Sequence, residues 1–234
     1  MSVNERWVVC LKHGTKYSAE YVNILYSMVT RHSTKPFKFA CITENPTGLD
    51  SNILHVPLPY YKLTGWWFKP WVFSAEFPLV GDIMFMDLDI VIIDNIDELW
   101  EYEPTKFCII KDFVKAFIPT YSKFNSSVFR FKSHEYNWVW DKIANDLSLT
   151  KQYQGDQDYI TEEIKDNYAF WPDDWVKSYK WEIRDKKELI SVNNKLNFNT
   201  IANIKSEAKI LVFHGDPKPH AVLDPLIVNN WNQG

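Results

Sequence analysis

Short apolar runs alternate with segments of helical periodicity along the chain, and this alternation predicts the secondary structure. Residues 7–11 form an apolar run that predicts a first strand. After a loop that contains Tyr17, apolar side chains recur every three or four residues between positions 21 and 29, which predicts a helix capped by Ser18. Further strands are predicted at 37–43, 53–56, 82–93, 106–111, 127–131 and 210–213, and further helices at 69–77, 134–147 and 156–165.

Strands that alternate with helices indicate an α/β fold with a doubly wound, mostly parallel central sheet flanked by helices. Ligands of such sheets bind beyond the carboxyl ends of the strands. The length of 234 residues, with 46% hydrophobic and 24% charged residues, suits one domain over residues 1–234. An aromatic content of 16% exceeds what packing requires, so aromatic side chains either line a ligand cleft or fill a core or a subunit contact. A homo-oligomer therefore stays open.

Composition and motifs exclude several classes of protein. The net charge is −4 and no dense basic run occurs, so nucleic acid is not an expected partner. The glycine-rich sequences of Rossmann dehydrogenases and P-loop enzymes are absent. Residues 1–6 lack an apolar signal segment and no apolar run approaches the about 20 residues that span a bilayer, which predicts a soluble, cytoplasmic protein. Cys10, Cys41 and Cys108 lie in apolar stretches and are expected to be reduced core thiols.

The triplet Asp87-Leu88-Asp89 is the most informative short motif. It lies between the apolar runs 83–86 and 90–93, which predict a buried strand in which unpaired carboxylates are costly. Acids two positions apart on a strand point to the same face and offer hard oxygens to one Mg²⁺ or Mn²⁺. The alternative is that the acids only cap the next turn. Asp94 and Asp97 are expected to end the strand and begin that turn.

A second polar cluster follows the predicted strand 210–213. His214 would supply a third ligand to Mn²⁺, and the ammonium group of Lys218 would meet a phosphate. Gly215 and two prolines give the loop a defined shape. The alternatives are a structural core histidine and a solvated lysine. Two further histidines are expected at the surface, His13 and His220.

Four motifs in one order resemble those of a known family. The triplet matches the metal motif Asp-x-Asp, and residues 214–219 are similar to a longer C-terminal loop of the type His-x-x-Gly-x-x-Lys-Pro. Residues 124–129 resemble a Phe-Asn-Ser-Gly-Val strand, and residues 155–158 resemble an Asp-Gln helix start. The family is that of the retaining glycosyltransferases of the glycogenin and bacterial galactosyltransferase type, family 8-like enzymes with the GT-A fold. The resemblance spans most of the chain.

The resemblance implies a donor site. Asp87, Asp89 and His214 would hold Mn²⁺ or Mg²⁺ against the diphosphate of a nucleotide sugar, most often UDP-linked, and Lys218 would contact the phosphates. Residues 1–100 would form the nucleotide-binding half and residues 101–234 the acceptor-side half with the C-terminal loop.

Other residues would contact the donor by the same resemblance. Tyr17 would stack on the uracil, although residues 13–16 here replace the family's Asn-Asp or Thr-Asp pair, which leaves the base open. Lys69 would meet the donor sugar or phosphate. Leu88 and Gly215 would complete the donor site.

Residues of the acceptor-side half would act on the sugar. Asn125 and Ser126 would bind sugar hydroxyls, or else are turn residues that bond their own backbone. Asp156 and Gln157 would stabilise the oxocarbenium-like sugar, and the resemblance leaves open whether one is a nucleophile or the acceptor attacks from the leaving-group face. Asp156 is alternatively a helix N-cap. Three tryptophans would stack on an acceptor sugar or pack a C-terminal subdomain, namely Trp171, Trp175 and Trp181.

The implied function is metal-dependent transfer of a hexose from a nucleotide sugar to a carbohydrate or lipid-linked acceptor, with retention of configuration. One alternative is a sugar-phosphate nucleotidyltransferase, but residues 12–16 lack that class's glycine-rich, arginine-containing loop. The other alternative is a non-catalytic carbohydrate-binding domain, in which aromatic side chains bind the glycan.

Overall fold

A computed structural model describes residues 5–192, 195–200 and 207–233. Its strands are β1 (Arg6–Lys12), β2 (Lys38–Thr43), β3 (Ile53–Val56), β4 (Asp82–Met86), β5 (Ile90–Ile92), β6 (Phe107–Lys111), β7 (Phe124–Lys132), β8 (Tyr168–Phe170), β9 (Val176–Ser178), β10 (Arg184–Val192), β11 (Lys195–Thr200) and β12 (Ile210–Val212). Its α-helices are α1 (Ala19–His32), α2 (Asp97–Glu101), α3 (Asn137–Asn145), α4 (Asp156–Glu163) and α5 (Pro225–Asn230). Short 3₁₀ helices cover Gly65–Phe73, Phe113–Ala116, Leu147–Lys151 and Pro219–Ala221, and a π-helical turn covers Tyr179–Ile183.

The central sheet has the strand order β3-β2-β1-β4-β7-β6-β8. Strands β1 to β4 pair in parallel, as do β6 and β8, whereas β7 runs antiparallel to both β4 and β6. The predicted mostly parallel α/β sheet flanked by helices is thus confirmed. Two smaller sheets accompany it, a β10–β11 hairpin and a three-stranded sheet in the order β5-β12-β9.

Apolar side chains cover both faces of the central sheet. One core contains α1, whose buried residues include Tyr21, Val22, Leu25 and Met28, as its periodicity predicts. Ser18 occupies the N-cap position, but its side chain makes no capping hydrogen bond. The N–H of Tyr21 instead donates to the backbone carbonyl of Ser18 at 3.2 Å, so the predicted side-chain cap is wrong.

The prediction of one strand over residues 82–93 is also wrong. Strand β4 ends at Met86 and β5 begins at Ile90, so the triplet lies in the turn between them. The turn forms because β5 leaves the central sheet to pair with β12. The N–H of Asp87 still donates to Ser127 O at 2.8 Å, and Asp89 O accepts from the N–H of Phe213 at 3.0 Å. The triplet therefore joins two sheets.

The helix predicted at 69–77 differs from the observed element in type and position. A 3₁₀ helix covers Gly65–Phe73 and contains Pro70, which has no N–H to donate. The remaining predicted strands and helices lie within three residues of observed ones. Cys10, Cys41 and Cys108 are buried free thiols, as predicted. No helix among the described residues is both long and apolar enough to cross a membrane.

Arg130 on β7 stabilises the chain segment that follows α2. Its guanidinium is 2% exposed and donates to the carbonyl oxygens of Trp100 (3.2 Å), Tyr102 (2.8 Å) and Glu103 (2.8 Å). We expect Arg130→Met to lower the free energy of unfolding by about 3 kcal/mol, because buried carbonyls lose charged donors. Urea unfolding measures this loss. The matched control is Lys132→Met, at an exposed position two residues along the same strand, and an equal loss in both variants would contradict the role of Arg130.

Candidate functional site

A cavity of about 340 Å³ opens beyond the carboxyl ends of β1 and β4, and we call it the donor cavity. The first loop, the triplet, the start of β7 and the start of α4 all contribute to its wall. The sequence-predicted residues that line it are Tyr17, Lys69, Asp87, Leu88, Asp89, Asn125, Ser126, Asp156, Gln157 and His214. The topology therefore brings ten predicted residues to one place, as expected for a doubly wound sheet.

Lys69 is the buried centre of this cavity's charge network. Its side chain is 4% exposed, and Nζ lies 2.9 Å from Asp87 Oδ1 and 3.1 Å from Asp156 Oδ2. It also donates to the carbonyl and the hydroxyl of Ser126, both at 3.1 Å. Burial alone would lower the pKa of Lys69, but attraction to Asp156 and Asp87 raises it, so the ammonium group stays charged. Lys69 thus ties the triplet to the start of α4.

Asp89 connects the first loop to the C-terminal loop. Its Oδ2 accepts from the Tyr17 hydroxyl at 2.8 Å and from Lys218 Nζ at 2.5 Å. Lys218 also donates to Phe213 O at 3.3 Å. Burial, followed by the charge of Asp89, raises the pKa of Tyr17, which keeps its hydroxyl a donor. Lys218 is therefore held against the triplet and is not a solvated loop charge.

His214 lies at the rim of the donor cavity. Its Nε2 is 2.6 Å from Ser178 Oγ, and its ring stacks on Phe113 and meets Trp181 edge-on. The structure places His214 in the same cavity as Asp87 and Asp89 but not in one ligand cluster with them. Among residues 5–183 and 207–233, no three His, Cys, Asp or Glu side chains are grouped so as to hold a metal ion.

The donor set nevertheless fits a divalent cation. Two carboxylates and an imidazole are ligands that suit Mn²⁺. The pKa of Asp87 is raised to about 6, first by burial and then by the carboxylates of Asp89 and Asp156, against the opposing effect of Lys69. Three carboxylates thus crowd together, and added positive charge would relieve their repulsion.

The polar residues of β7 and α4 contact one another across the cavity wall. Asp156 is the first residue of α4 and Gly155 is its N-cap, so the capping interpretation of Asp156 is wrong. Ser126 Oγ donates to Asp156 Oδ2 at 2.6 Å, and Asn125 Nδ2 donates to Gln157 Oε1 at 3.4 Å. These residues belong to regular elements, although Asn125 also accepts from the backbone two residues ahead, as its local alternative predicted.

A second cavity of about 540 Å³ adjoins the first, and we call it the outer cavity. The two share the side chains of Asn125, Gln157 and His214. Aromatic residues and carboxylates line the remainder, among them Tyr121 and Asp112. Two neighbouring concave sites with a shared polar wall are what a reaction between two substrates requires.

Several sequence predictions need correction or division. His13 is not a surface residue, because it lines the donor cavity, accepts from the N–H of Gly65 at 3.1 Å and packs on Phe68. His220 is exposed, as predicted. The three tryptophans differ in environment. Trp171 is buried and donates to Val128 O, Trp175 packs on Tyr102, and Trp181 lines the outer cavity.

Smaller predicted features also have clear positions. Gly215 has a φ of +72°, a conformation that L side chains rarely adopt, and it allows the chain to turn between His214 and the Lys218 segment. Asp97 begins α2 and accepts from Thr34, and Asp94 accepts from the next residue's N–H, as predicted for turn residues.

Asp112 was not predicted as a site residue. It follows β6, is 6% exposed, and burial raises its pKa. The signal in the sequence is a lone acid directly after the apolar run 107–110, the same signal that identified the triplet, but Lys111 between them obscures it.

Comparisons with known proteins establish the fold. No model of a protein family matches the chain, and no curated protein matches its sequence. The galactosyltransferase LgtC, solved in complex with donor and acceptor sugar analogues, superposes with a TM-score of 0.60 at 12% identity over 91% of this chain and 88% of that one. GlyE from Streptococcus pneumoniae TIGR4 gives 0.58 at 13% over 92% and 56%, and the bifunctional glycosyltransferase WbbM gives 0.58 at 12% over 92% and 47%. The chain therefore has the GT-A fold of these glycosyltransferases, as the sequence predicted.

Proposed function

We propose that this chain is a glycosyltransferase that moves a hexose from a nucleotide sugar, UDP-linked in our proposal, to a carbohydrate or lipid-linked acceptor. The observation that carries the proposal is the joint placement of Asp87, Asp89, Lys218 and His214 at one cavity of a GT-A fold. These residues come from opposite ends of the chain, and only the fold brings them together. The adjoining outer cavity gives room for an acceptor.

The leaving nucleotide diphosphate needs positive charge at this position. Lys218, which Asp89 holds in place, would contact the phosphates as a point charge. Asp87, Asp89 and His214 would hold Mn²⁺ or Mg²⁺. Such an ion, when bound, supplies Lewis-acid stabilisation of the negative charge that builds on the leaving group. Lys69 would keep Asp87 and Asp156 charged and fixed during the reaction.

The sugar becomes positively charged as its bond to the diphosphate breaks. Gln157 lines both cavities and would present its carbonyl oxygen to that charge, since fixed dipoles stabilise a transition state without reorganising. The carboxylate of Asp156 is buried and engaged by Lys69 and Ser126. That engagement favours attack by the acceptor from the leaving-group face over attack by Asp156, and it supports a retaining reaction.

Nucleotide binding tests the proposal directly. We expect UDP to bind with Mn²⁺ present and to bind at least tenfold more weakly without it, as measured by isothermal titration. At a free nucleotide concentration 100 times the dissociation constant, mass action adds about 2.7 kcal/mol of stability, which corresponds to a rise in Tm of roughly 5–10 °C.

Other outcomes of the same titration are diagnostic. A non-catalytic carbohydrate-binding domain would bind free glycan without Mn²⁺ and would ignore the nucleotide. A nucleotidyltransferase would bind a nucleoside triphosphate and a sugar phosphate. If no nucleoside diphosphate bound with Mn²⁺ present, the proposed function would be lost. A screen of nucleotide sugars in the same format would then identify the base and the donor sugar.

A further inference from the structure

A chain of hydrogen bonds crosses the wall between the donor cavity and the outer cavity. At one end the N–H of Val114 donates to Asp112 Oδ1 at 2.8 Å, and Gln157 Nε2 donates to Asp112 Oδ2 at 3.2 Å. At the other end Asn125 Nδ2 donates to Gln157 Oε1 at 3.4 Å, and the N–H of Ser127 donates to Asn125 Oδ1 at 3.1 Å. Two side-chain amides therefore lie between a carboxylate and a backbone N–H.

The ends of this chain fix the direction of every bond in it. The backbone N–H groups of Val114 and Ser127 only donate, and an ionised carboxylate only accepts. Because Ser127 occupies the oxygen of Asn125, the amide nitrogen of Asn125 must face Gln157. Because Asp112 only accepts, the amide nitrogen of Gln157 must face Asp112. The carbonyl oxygen of Gln157 is thereby turned toward Asn125, in the wall that both cavities share.

We propose that Asp112 is a positioning residue, which holds the amide of Gln157 with its oxygen toward the reacting sugar. The proposal rests on the proposed function and adds a specific requirement to it. With the oxygen in that direction, a partial negative charge faces the sugar as it becomes positive. A reversed amide would present N–H groups there, and their positive ends would oppose the same transition state. Asp112 contacts neither cation site nor phosphate-binding residue in the structure; its effect passes through Gln157.

Exchange of the two groups at positions 112 and 157 tests this role. In Asp112→Asn one oxygen remains, which Val114 occupies, so the new amide nitrogen faces Gln157 and reverses it. We expect kcat to fall about 10- to 100-fold, with the KM for the donor unchanged. Gln157→Glu alone places two carboxylates in contact and should also lower kcat. The double variant Asp112→Asn/Gln157→Glu restores a donor facing an acceptor and an oxygen toward Asn125, so kcat should rise at least fivefold above either single variant.

A control separates positioning from helix capping. Asp146 caps the 3₁₀ helix Leu147–Lys151 by accepting from the N–H of Ser148 at 2.9 Å, as Asp112 caps Phe113–Ala116, but it is outside both cavities. Asp146→Asn should leave kcat unchanged. If Asp112 only caps a helix, Gln157→Glu will not improve the Asp112→Asn variant, and that result overturns the proposal.

A measurement without turnover keeps this test distinct from the proposed function. The side-chain amide signal of Gln157 in a ¹H–¹⁵N spectrum is assigned by its absence in Gln157→Glu. We expect this signal to shift in Asp112→Asn and to stay in place in Asp146→Asn. An unmoved signal in Asp112→Asn overturns the positioning role, whether or not the wild-type protein transfers sugar. A wild-type protein that moves no sugar from any donor contradicts the proposed function alone.

Discussion

Asp89→Asn should abolish metal-dependent nucleotide binding and leave the fold intact. Asparagine has nearly the same shape, so Tyr17 and Lys218 retain one acceptor oxygen, but the negative charge that holds Lys218 and would bind the cation is lost. We expect the affinity for UDP with Mn²⁺ to fall about 100-fold and the transfer rate to fall about 1,000-fold. Isothermal titration and a transfer assay measure the two losses.

The matched control for this variant is Asp94→Asn. Asp94 is an exposed acid that follows β5, and its carboxylate accepts only from the neighbouring backbone among the contacts described for it. It should bind UDP with Mn²⁺ as the wild type does. Both variants should keep the wild-type circular dichroism spectrum and a Tm within about 3 °C of it. Unchanged affinity in Asp89→Asn would move the metal site away from the triplet.

Lys69→Met should reduce both stability and activity strongly. Methionine matches the length of the stem but removes the cation between Asp87 and Asp156, and loss of one member of a buried ion pair costs about 3–5 kcal/mol. Transfer activity should disappear with it, because both carboxylates are then unpaired. Urea unfolding of the two proteins measures the difference in stability.

The pH dependence of the Lys69→Met loss has a definite sign. Without Lys69 the folded-state pKa values of Asp87 and Asp156 rise, and a raised folded-state pKa contributes stability that is lost as the pH rises through it. The deficit of the variant should therefore be largest above pH 7 and should shrink below pH 6. Adding Asp156→Asn should recover part of the stability but not the activity. Lys62→Met, at an exposed lysine ahead of the same 3₁₀ helix, serves as control, and a Lys69→Met protein as stable as this control would sink the prediction.

Local patterns in the sequence were sufficient for much of the fold. Strand β1 and helix α1 were predicted because their apolar residues follow one period without interruption, and β3 was predicted with its observed bounds. The triplet was found because two charges interrupt an apolar run. Each of these features depends on residues close to one another in the chain, where periodicity and composition carry the information.

The remaining features depend on distant partners. The reversal of β7, the departure of β5 from the central sheet and the 3₁₀ form of Gly65–Phe73 are decided by tertiary pairing, which no local period records. The same holds for the site. Asp89 meets Lys218 across 129 residues, and Gln157 meets Asp112 across 45. The family resemblance indicated that several of these residues act together, but it gave no role to Asp112 and left the burial of Lys69 unknown.

The pairing of β5 with β12 sets the time at which the site forms during synthesis. Asp89 leaves the ribosome 129 residues before Lys218, which at 5–20 residues per second is an interval of roughly 6–26 seconds. Throughout that interval the edge of β5 that later binds β12 has no strand beside it, and Asp89 has no lysine. A nascent chain therefore carries the triplet without a working site, and its exposed β5 edge is the segment that a chaperone would be expected to protect.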